Sequence, residues 1–237
     1  MPLIFASYSD WKTRTVNNKV WLVMILAGLA IAAARWIYTA ELSITIISLT
    51  ATFLISLVLY ALKVFGGADA KVIICLSLLI PRNISASLTP LFTLTMFLNT
   101  FILLGILYLT IISYNLLQRL KGEDLFYGLE SESKWRKLVI LLTGIRSDLD
   151  SLQSKKHFHP AQHVEKKNSE TEMHLTPLRN ILTKENTDFN YLRKKMDKAS
   201  LKKIWVYFTK PLIPIITLSV IISFFLGDLP LFLINIF

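Results

Sequence analysis

The sequence predicts an all-α fold: a polytopic membrane bundle of five to six helical spans, with a cytoplasmic, partly helical polar segment before the last span. Hydrophobic residues make up 53% of the 237 residues and the mean hydropathy is +0.51, which is more apolar surface than a soluble domain of this size can bury. Four apolar runs have, or nearly have, the roughly 20 residues that cross ~30 Å of hydrocarbon. The charged residues are concentrated in one stretch before the last of these runs.

The four long apolar runs are the expected spans. They cover residues 20–38, 42–62, 89–117 and 204–226. A shorter run, residues 72–81, is expected to form a buried helix enclosed by the others. Its Cys75 is the one cysteine, which excludes an internal disulfide and a thiolate-rich zinc site and predicts a packing residue. A helix ending at Asp10 would measure only ~13 Å, so we expect a half-helix here, or a chain with more sequence upstream.

Charge predicts which side of the membrane each loop faces. Residues 119–203 contain twelve of the sixteen acidic residues and eighteen of the 26 Lys and Arg residues. An excess of basic residues predicts a cytoplasmic location for this segment. Counting spans from it places "DWKTRTVNNK" (10–19) and "KVFGGADAK" (63–71) on the cytoplasmic side as well, and Glu41 and residues 82–87 on the other side.

The expected domains are a membrane domain (1–118), the polar segment (119–203) and a C-terminal transmembrane helix (204–237). Within the polar segment, "SKWRKLVILLTGI" has helical apolar spacing and is expected to lie against the membrane or the bundle. Residues 154–174 are expected to be a partly disordered linker, and residues 176–205 one or two helices. We expect no metal site at the four histidines, because no acid or cysteine stands at ligand spacing from them; they are His157, His159, His163 and His174.

Two carboxylates stand at the predicted cytoplasmic ends of spans, namely Asp10 and Asp69. An ionised acid costs roughly 2.5 to 3.5 kcal/mol at the bilayer centre, so acids beside spans invite a functional explanation. Asp228 lies about a membrane thickness away and cannot join them. Two carboxyl groups a few ångströms apart share one proton. Such a pair acts as general base and general acid in aspartic proteases and needs neither a metal nor a cofactor.

Each of the two loops also has a purely structural explanation. Gly66 and Gly67 before Asp69 permit close approach of a substrate backbone, or equally a helix C-cap followed by an N-cap. Asn18 is positioned to cap the helix that starts near Lys19, and its loop also fits a basic cytoplasmic loop with an incidental acid. The two loops together, one helical hairpin apart on the same side, favour the catalytic explanation.

The two loops resemble the motifs of the type IV prepilin peptidases, in particular those of the archaeal preflagellin (pre-archaellin) branch. Asp10, Arg14, Val16 and Asn18 match the D-x-x-x-R-x-I-x-N pattern, and "GGADAK" (66–71) matches the second aspartate motif. Weaker similarities are "KPLIPIITLSVIISFFLGD", which is similar to the last helix of archaeal members, and "LVILLTGIR" in the polar segment.

The resemblance implies a multi-pass aspartic endopeptidase of the cell membrane, with its active site facing the cytoplasm. It would remove the short basic leader of archaellin- or pilin-like precursors with class III signal peptides. Membrane lipid is the other expected partner; no nucleic acid is expected, and the oligomeric state is not defined. Since a single cysteine excludes the zinc domain of the bacterial branch, which also methylates its product, we expect cleavage without N-methylation.

The resemblance also implies roles for individual residues. Asp10 and Asp69 would be the catalytic pair. The residues that would bind substrate or support the motifs are Gly66, Gly67, Ala68, Arg14, Asn18 and Lys71. Ala68 departs from the family's usual G-x-G-D, in which a glycine precedes the aspartate.

Two alternatives stay open. Presenilin-like signal peptide peptidases need a Tyr-Asp pair within one helix, whereas Ser9 separates Tyr8 from Asp10. A non-catalytic membrane protein, either a small transporter or an assembly scaffold, is the alternative from another class. Transport would predict acids near mid-span and broken helices, and the acids here avoid mid-span positions.

Overall fold

The computed structural model describes residues 2–39, 42–62, 64–84, 88–127, 129–147, 158–167, 170–175, 203–208 and 210–236. In chain order its helices are α1 (Pro2–Thr13), α2 (Asn18–Thr39), α3 (Leu42–Ala61), α4 (Gly67–Leu79), α5 (Phe92–Leu120), α6 (Lys134–Thr143), α7 (Leu212–Phe225) and α8 (Leu229–Ile236). Its strands are β1 (Gly144–Ser147), β2 (Phe158–Pro160), β3 (Gln162–Lys167), β4 (Glu170–Leu175) and β5 (Ile204–Phe208). The chain forms two compact units, Met1–Leu104 with Pro211–Phe237, and Gly105–Lys210.

Three of the described helices, α2, α3 and α5, are long and apolar enough to cross a membrane. They lie close to the apolar runs at 20–38, 42–62 and 89–117, because long uninterrupted apolar helices are the strongest signal in a sequence. Large apolar side chains such as Leu26, Phe53 and Leu109 are more than half exposed on them, as expected of surfaces that face lipid. The total of five to six spans stays a prediction.

In the first unit, α4 packs against both α2 and α3. Its second half is almost wholly buried, which confirms the expected enclosed helix, and Cys75 lies in this core. The approach of α2 to α4 is close at Gly28, where a Cβ atom would lie 2.8 Å from the Cβ of Leu78. Small residues allow helices to approach in this way where lipid gives no hydrophobic driving force between them.

Hydroxyl and amide side chains join α7 to α1 and α5 in the same unit. Ser7 of α1 is hydrogen-bonded to Thr217 of α7. Thr100 and Ser219 share a hydrogen bond of 2.7 Å, and Asn99 of α5 donates to Ser223 Oγ at 2.9 Å. Buried polar contacts of this kind hold helices together inside a bilayer. The bond between Ser7 and Thr217 holds α7 against α1, and this helix pair contributes to the site described below.

The second unit contains a small sheet, so the all-α expectation is wrong in this part of the chain. Strand β5 pairs antiparallel with β1 on one side and with β2 on the other, and β3 and β4 form a two-stranded hairpin. The sheet includes "IWVYF", expected to begin the last span; β-branched and aromatic residues favour strands. Pro211 disfavours helix in the residue before it, so α7 begins only at Leu212.

Strands β2 and β3 and most of β4 lie within residues 154–174, where the sequence predicts a linker. The helices expected at 176–205 fall largely on residues 176–202, which lie outside the described residues. Helix α6 agrees with the expected helix in "SKWRKLVILLTGI", and the side chain of Ser133 caps it by accepting from the Arg136 N–H.

Glu132 is a buried hydrogen-bond centre of the second unit. Its side chain is only 2% exposed and accepts from His174 Nδ1 at 3.0 Å, from the Leu175 N–H at 2.9 Å and from Arg136 Nη1 at 3.3 Å. Burial alone would raise the pKa of Glu132, but these hydrogen bonds and the Arg136 charge lower it below its usual value. The carboxylate therefore joins β4 to the residues that precede α6.

We expect Glu132→Ala to destabilise the second unit by about 3 kcal/mol, because it leaves several buried donors without an acceptor. Glu132→Gln, which retains one acceptor oxygen, should cost less. Since the pKa of Glu132 is lowered on folding, its contribution is present above the ordinary glutamate pKa and is lost as the pH falls through the lowered value. Thermal unfolding of the three proteins in detergent at several pH values measures this. Equal stability of the wild-type protein and Glu132→Ala at neutral pH would contradict this role of Glu132.

Candidate active site

Asp10 is placed by two helices that are distant in sequence. It lies in the last turn of α1, is 8% exposed, and its Oδ2 accepts a hydrogen bond from the Ile213 N–H at 3.3 Å. Ile213 stands in the first turn of α7, where backbone N–H groups have no partner within the helix. The positive end of the α7 dipole therefore faces the Asp10 carboxylate and favours its charged form.

Asp69 also lies at a helix N-terminus. It stands in the first turn of α4, outside the three candidate spans, and its Oδ2 accepts from the Gly66 N–H at 2.8 Å. This bond is one half of a capping box; the other half is missing because glycine has no side chain. The structural explanation of "GGAD" as a helix start is thus correct. The Gly66 N–H contacts only Oδ2 of Asp69, so Oδ1 is not used by this cap.

Charge couples the two aspartates and Arg14. Burial raises the pKa of Asp69 to about 6; the Gly66 N–H lowers it, the charge of Asp10 raises it and the charge of Arg14 lowers it. Burial lowers the pKa of Arg14, while Asp10 and Asp69 both raise it. The structure therefore brings Asp10, Asp69 and Arg14 within electrostatic range of one another. Two coupled carboxyl groups, one with a raised pKa, can accept and donate a proton at the same pH.

Arg14 is held in an unusual backbone conformation. Its φ of 60° is in the left-handed region, which costs a residue with a Cβ atom free energy. The turn is stabilised by Ser9 Oγ, which donates to the Thr15 carbonyl at 2.7 Å, and by the Arg14 N–H, which donates to the Asp10 carbonyl at 3.1 Å. This turn folds the chain back toward the last turn of α1. Strained residues held by their surroundings cluster at functional sites, and this one sits beside both aspartates.

Asn18 and Lys71 connect the two motifs directly. Lys71 Nζ of α4 donates to Asn18 Oδ1 at the start of α2, at 2.9 Å. The expectation that Asn18 caps α2 is wrong: Asn17 Oδ1 accepts from the Lys19 N–H at 3.0 Å instead. Asn18 is thereby available to bridge to α4. This bond joins residues that are far apart in sequence, and it fixes the loop after Asp10 to the helix that contains Asp69.

The residues before Asp69 differ in the space that is free around their side-chain positions. A Cβ atom on Gly66 would lie 3.2 Å from Asp69 Oδ2, whereas a Cβ atom on Gly67 would meet nothing within 4 Å. Ala68 packs against the core of the first unit. Of the three, Gly66 is the residue whose lack of a side chain lets the Asp69 carboxylate reach its backbone.

We expect Gly66→Ala to lower kcat/KM for the reaction at this site by roughly tenfold, because the new methyl group displaces the Asp69 carboxylate. Gly67→Ala adds the same group one residue later into open space, and should react at close to the wild-type rate. Initial rates of Gly66→Ala, Gly67→Ala and the wild-type protein over a range of substrate concentrations give the three kcat/KM values. Equal effects of the two substitutions would contradict this role of Gly66.

The start of α7 is the part of the site that sequence reasoning missed. Its signal is weak: "KPLIPII" contains prolines that mark a helix start, but nothing in it indicates which carboxylate the free N–H groups meet. Asp228 is not part of this site, as expected. It follows the far end of α7, a helix of 14 residues and so about 21 Å, and its Oδ2 accepts from the Leu88 N–H.

Comparisons with known proteins show which sequences this chain resembles. Residues 1–110, which contain both aspartates, match the type IV leader peptidase family. Residues 136–229 match the archaeal peptidase A24 C-terminus, type II. The chain is 27% identical over 240 residues to a preflagellin peptidase of Methanococcus voltae, an alignment that covers 95% of this chain and 92% of that protein.

Proposed function

Because this chain belongs to the type IV leader peptidase family and is a protease, we propose that it is a membrane aspartic endopeptidase that removes the short basic leader of archaellin- or pilin-like precursors. The observation that carries the proposal is that the two aspartate motifs meet: Lys71 Nζ donates to Asn18 Oδ1 at 2.9 Å, and the Asp10 and Arg14 charges act on Asp69. The two aspartates come from motifs separated by two helices, and each accepts a hydrogen bond from a backbone N–H at the start of a helix.

The catalytic roles follow from the shared proton. The charged carboxylate of the pair takes a proton from a water molecule, whose oxygen attacks the scissile carbonyl carbon. The protonated carboxyl donates its proton to the carbonyl oxygen, which gives a neutral tetrahedral intermediate. This intermediate collapses when a proton passes to the leaving nitrogen and the C–N bond breaks. The pair ends with one proton, as it began, so neither a metal nor a covalent intermediate is required.

The neighbouring residues have supporting roles in this proposal. Arg14 keeps one member of the pair charged, because a nearby positive charge favours the ionised carboxylate. The bond between Lys71 and Asn18 holds the two aspartate motifs together. Gly66 leaves room for Asp69, and Gly67 borders open space through which a precursor backbone can approach.

The substrates we propose are precursors with class III signal peptides, cut just ahead of their hydrophobic N-terminal helix at the cytoplasmic membrane face. The similar Methanococcus voltae protein is a preflagellin peptidase, and this name supports archaellin precursors as the first choice. Cleavage is proposed to occur without N-methylation of the product.

Incubating the full chain in lipid nanodiscs with a purified archaellin-like precursor tests the proposal. Mass spectrometry of the products should show one cut between the basic leader and the hydrophobic helix, and an unmethylated new N-terminus. A precursor that stays intact with the enzyme, although the M. voltae preflagellin peptidase cleaves it under the same conditions, would contradict the proposed substrate class.

A further inference from the structure

Helix α6 presents an apolar face that the described residues of the second unit leave uncovered. Ile140 on the opposite face is fully buried, whereas Trp135 is 71% and Leu138 is 42% exposed. Leu142, half-buried, continues the same stripe, because positions i, i+3 and i+7 lie on one side of a helix. A large indole and a leucine exposed together on a short helix are unusual for a surface that faces only water.

Basic residues flank this apolar stripe. Lys134 and Arg136, on either side of Trp135, are both exposed, and α6 has no acidic residue of its own. The acid just before it, Glu132, is buried and fully engaged by its donors. The uncovered face is therefore apolar at its centre and positive at its edges, a pattern typical of helices that lie in the headgroup region of anionic membranes.

A second observation connects α6 to a candidate span. Asn115 of α5 donates to the carbonyls of Leu141 and Gly144, both at 2.8 Å, so the C-terminal end of α6 is attached to α5. Helix α5 is a candidate span that ends at Leu120, five residues or about 7.5 Å beyond Asn115. Leu116, Leu117 and Leu120 on this last part of α5 are more than half exposed. The anchoring point of α6 thus lies within the last two turns of this candidate span.

We propose that α6 is an interfacial helix: Trp135 and Leu138 insert among the headgroups of an anionic leaflet, and Lys134 and Arg136 contact the lipid phosphates. The occupant of this face is the membrane surface at the Leu120 end of α5. The contact holds the second unit to the membrane through a site separate from the α5 helix itself. It does not depend on proteolysis, and its test needs no substrate.

The test uses the full chain in nanodiscs with an environment-sensitive fluorophore at Leu138→Cys in a Cys75→Ala background. Lipids carrying a nitroxide near the headgroup should quench this label about twofold or more in anionic discs. The positive control is the same label at Leu109→Cys, an exposed position within α5, read with nitroxides on the acyl chains. Lys134→Gln should reduce the membrane contact of the Leu138 label roughly fivefold. Arg82→Gln, an exposed basic residue predicted on the other side of the membrane, should not change it.

Three outcomes would contradict the proposal. A Leu138 label that iodide quenches freely in anionic discs, with no effect of nitroxide lipids, would show that this face meets water. A label shielded from both quenchers would show that protein covers the face, either a second copy of the chain or another partner. Quenching of equal strength in zwitterionic and anionic discs would remove the proposed role of Lys134 and Arg136.

Discussion

Asp10→Asn and Asp69→Asn are each expected to lower precursor cleavage by about a thousandfold, because a pair with one amide cannot both accept and donate the proton. Asparagine retains the shape of the side chain and one acceptor oxygen. It can therefore keep the hydrogen bond from the Ile213 N–H or from the Gly66 N–H. Single-turnover cleavage of an archaellin-like precursor measures the loss.

The pKa of Asp69 separates a catalytic loss from a folding loss. Because its pKa is raised in the folded protein, Asp69 stabilises the fold most at low pH and loses this contribution as the pH rises toward about 6. Above that pH the buried charge is a cost, so Asp69→Asn should be at least as stable as wild type at neutral pH. Asp228→Asn is the matched control, a buried aspartate outside the site. Full cleavage by either Asp10→Asn or Asp69→Asn would contradict the proposed pair.

Arg14→Asn is expected to move the whole pH profile of kcat/KM to higher pH. The charge of Arg14 lowers the pKa of Asp69, so removing it raises that pKa and moves both limbs in the same direction. On the acidic limb, cleavage at a fixed pH falls about tenfold when the profile moves up by one pH unit. Asparagine tolerates the left-handed conformation seen at residue 14, so the turn is retained.

Arg14→Lys is the matched variant for this prediction, because it keeps the positive charge in the same turn. Its profile should stay close to that of wild type. Cleavage assays over a range of pH values on the three proteins make the comparison. A profile that moves equally in both variants, or in neither, would mean that the Arg14 charge does not act on the pair and that the residue serves only the turn.

The long helices could be predicted from the sequence because each is specified by its own residues. The run at 42–62 and the helix Leu42–Ala61 differ by a single residue at one end. The sheet could not be predicted in this way, since Gly144–Ser147 pairs with Ile204–Phe208 across about sixty residues. Pairing over such a separation depends on tertiary packing, which local patterns do not encode.

The same distinction holds within the site. Counting spans predicts that Asp10 and Asp69 lie on the same side of the membrane, because topology depends on apolar length and charge. The contact between Asp10 and the Ile213 N–H could not be predicted in this way, because it joins the first helix to the seventh. The bond from Lys71 to Asn18 was missed for a similar reason: a local rule assigned Asn18 to capping, while a distant lysine uses it instead.

The central claim is that Asp10 and Asp69 act as one coupled pair, and the pKa of Asp69 tests it most directly. The pKa can be followed by carboxyl ¹³C NMR of the labelled full chain, with the Asp69 signal assigned from Asp69→Asn. We predict a pKa of about 6 in the wild-type protein and a lower value in Asp10→Asn, because the charge of Asp10 raises it. An Asp69 pKa that is the same in both proteins, or that has the ordinary aspartate value in wild type, would contradict the claim.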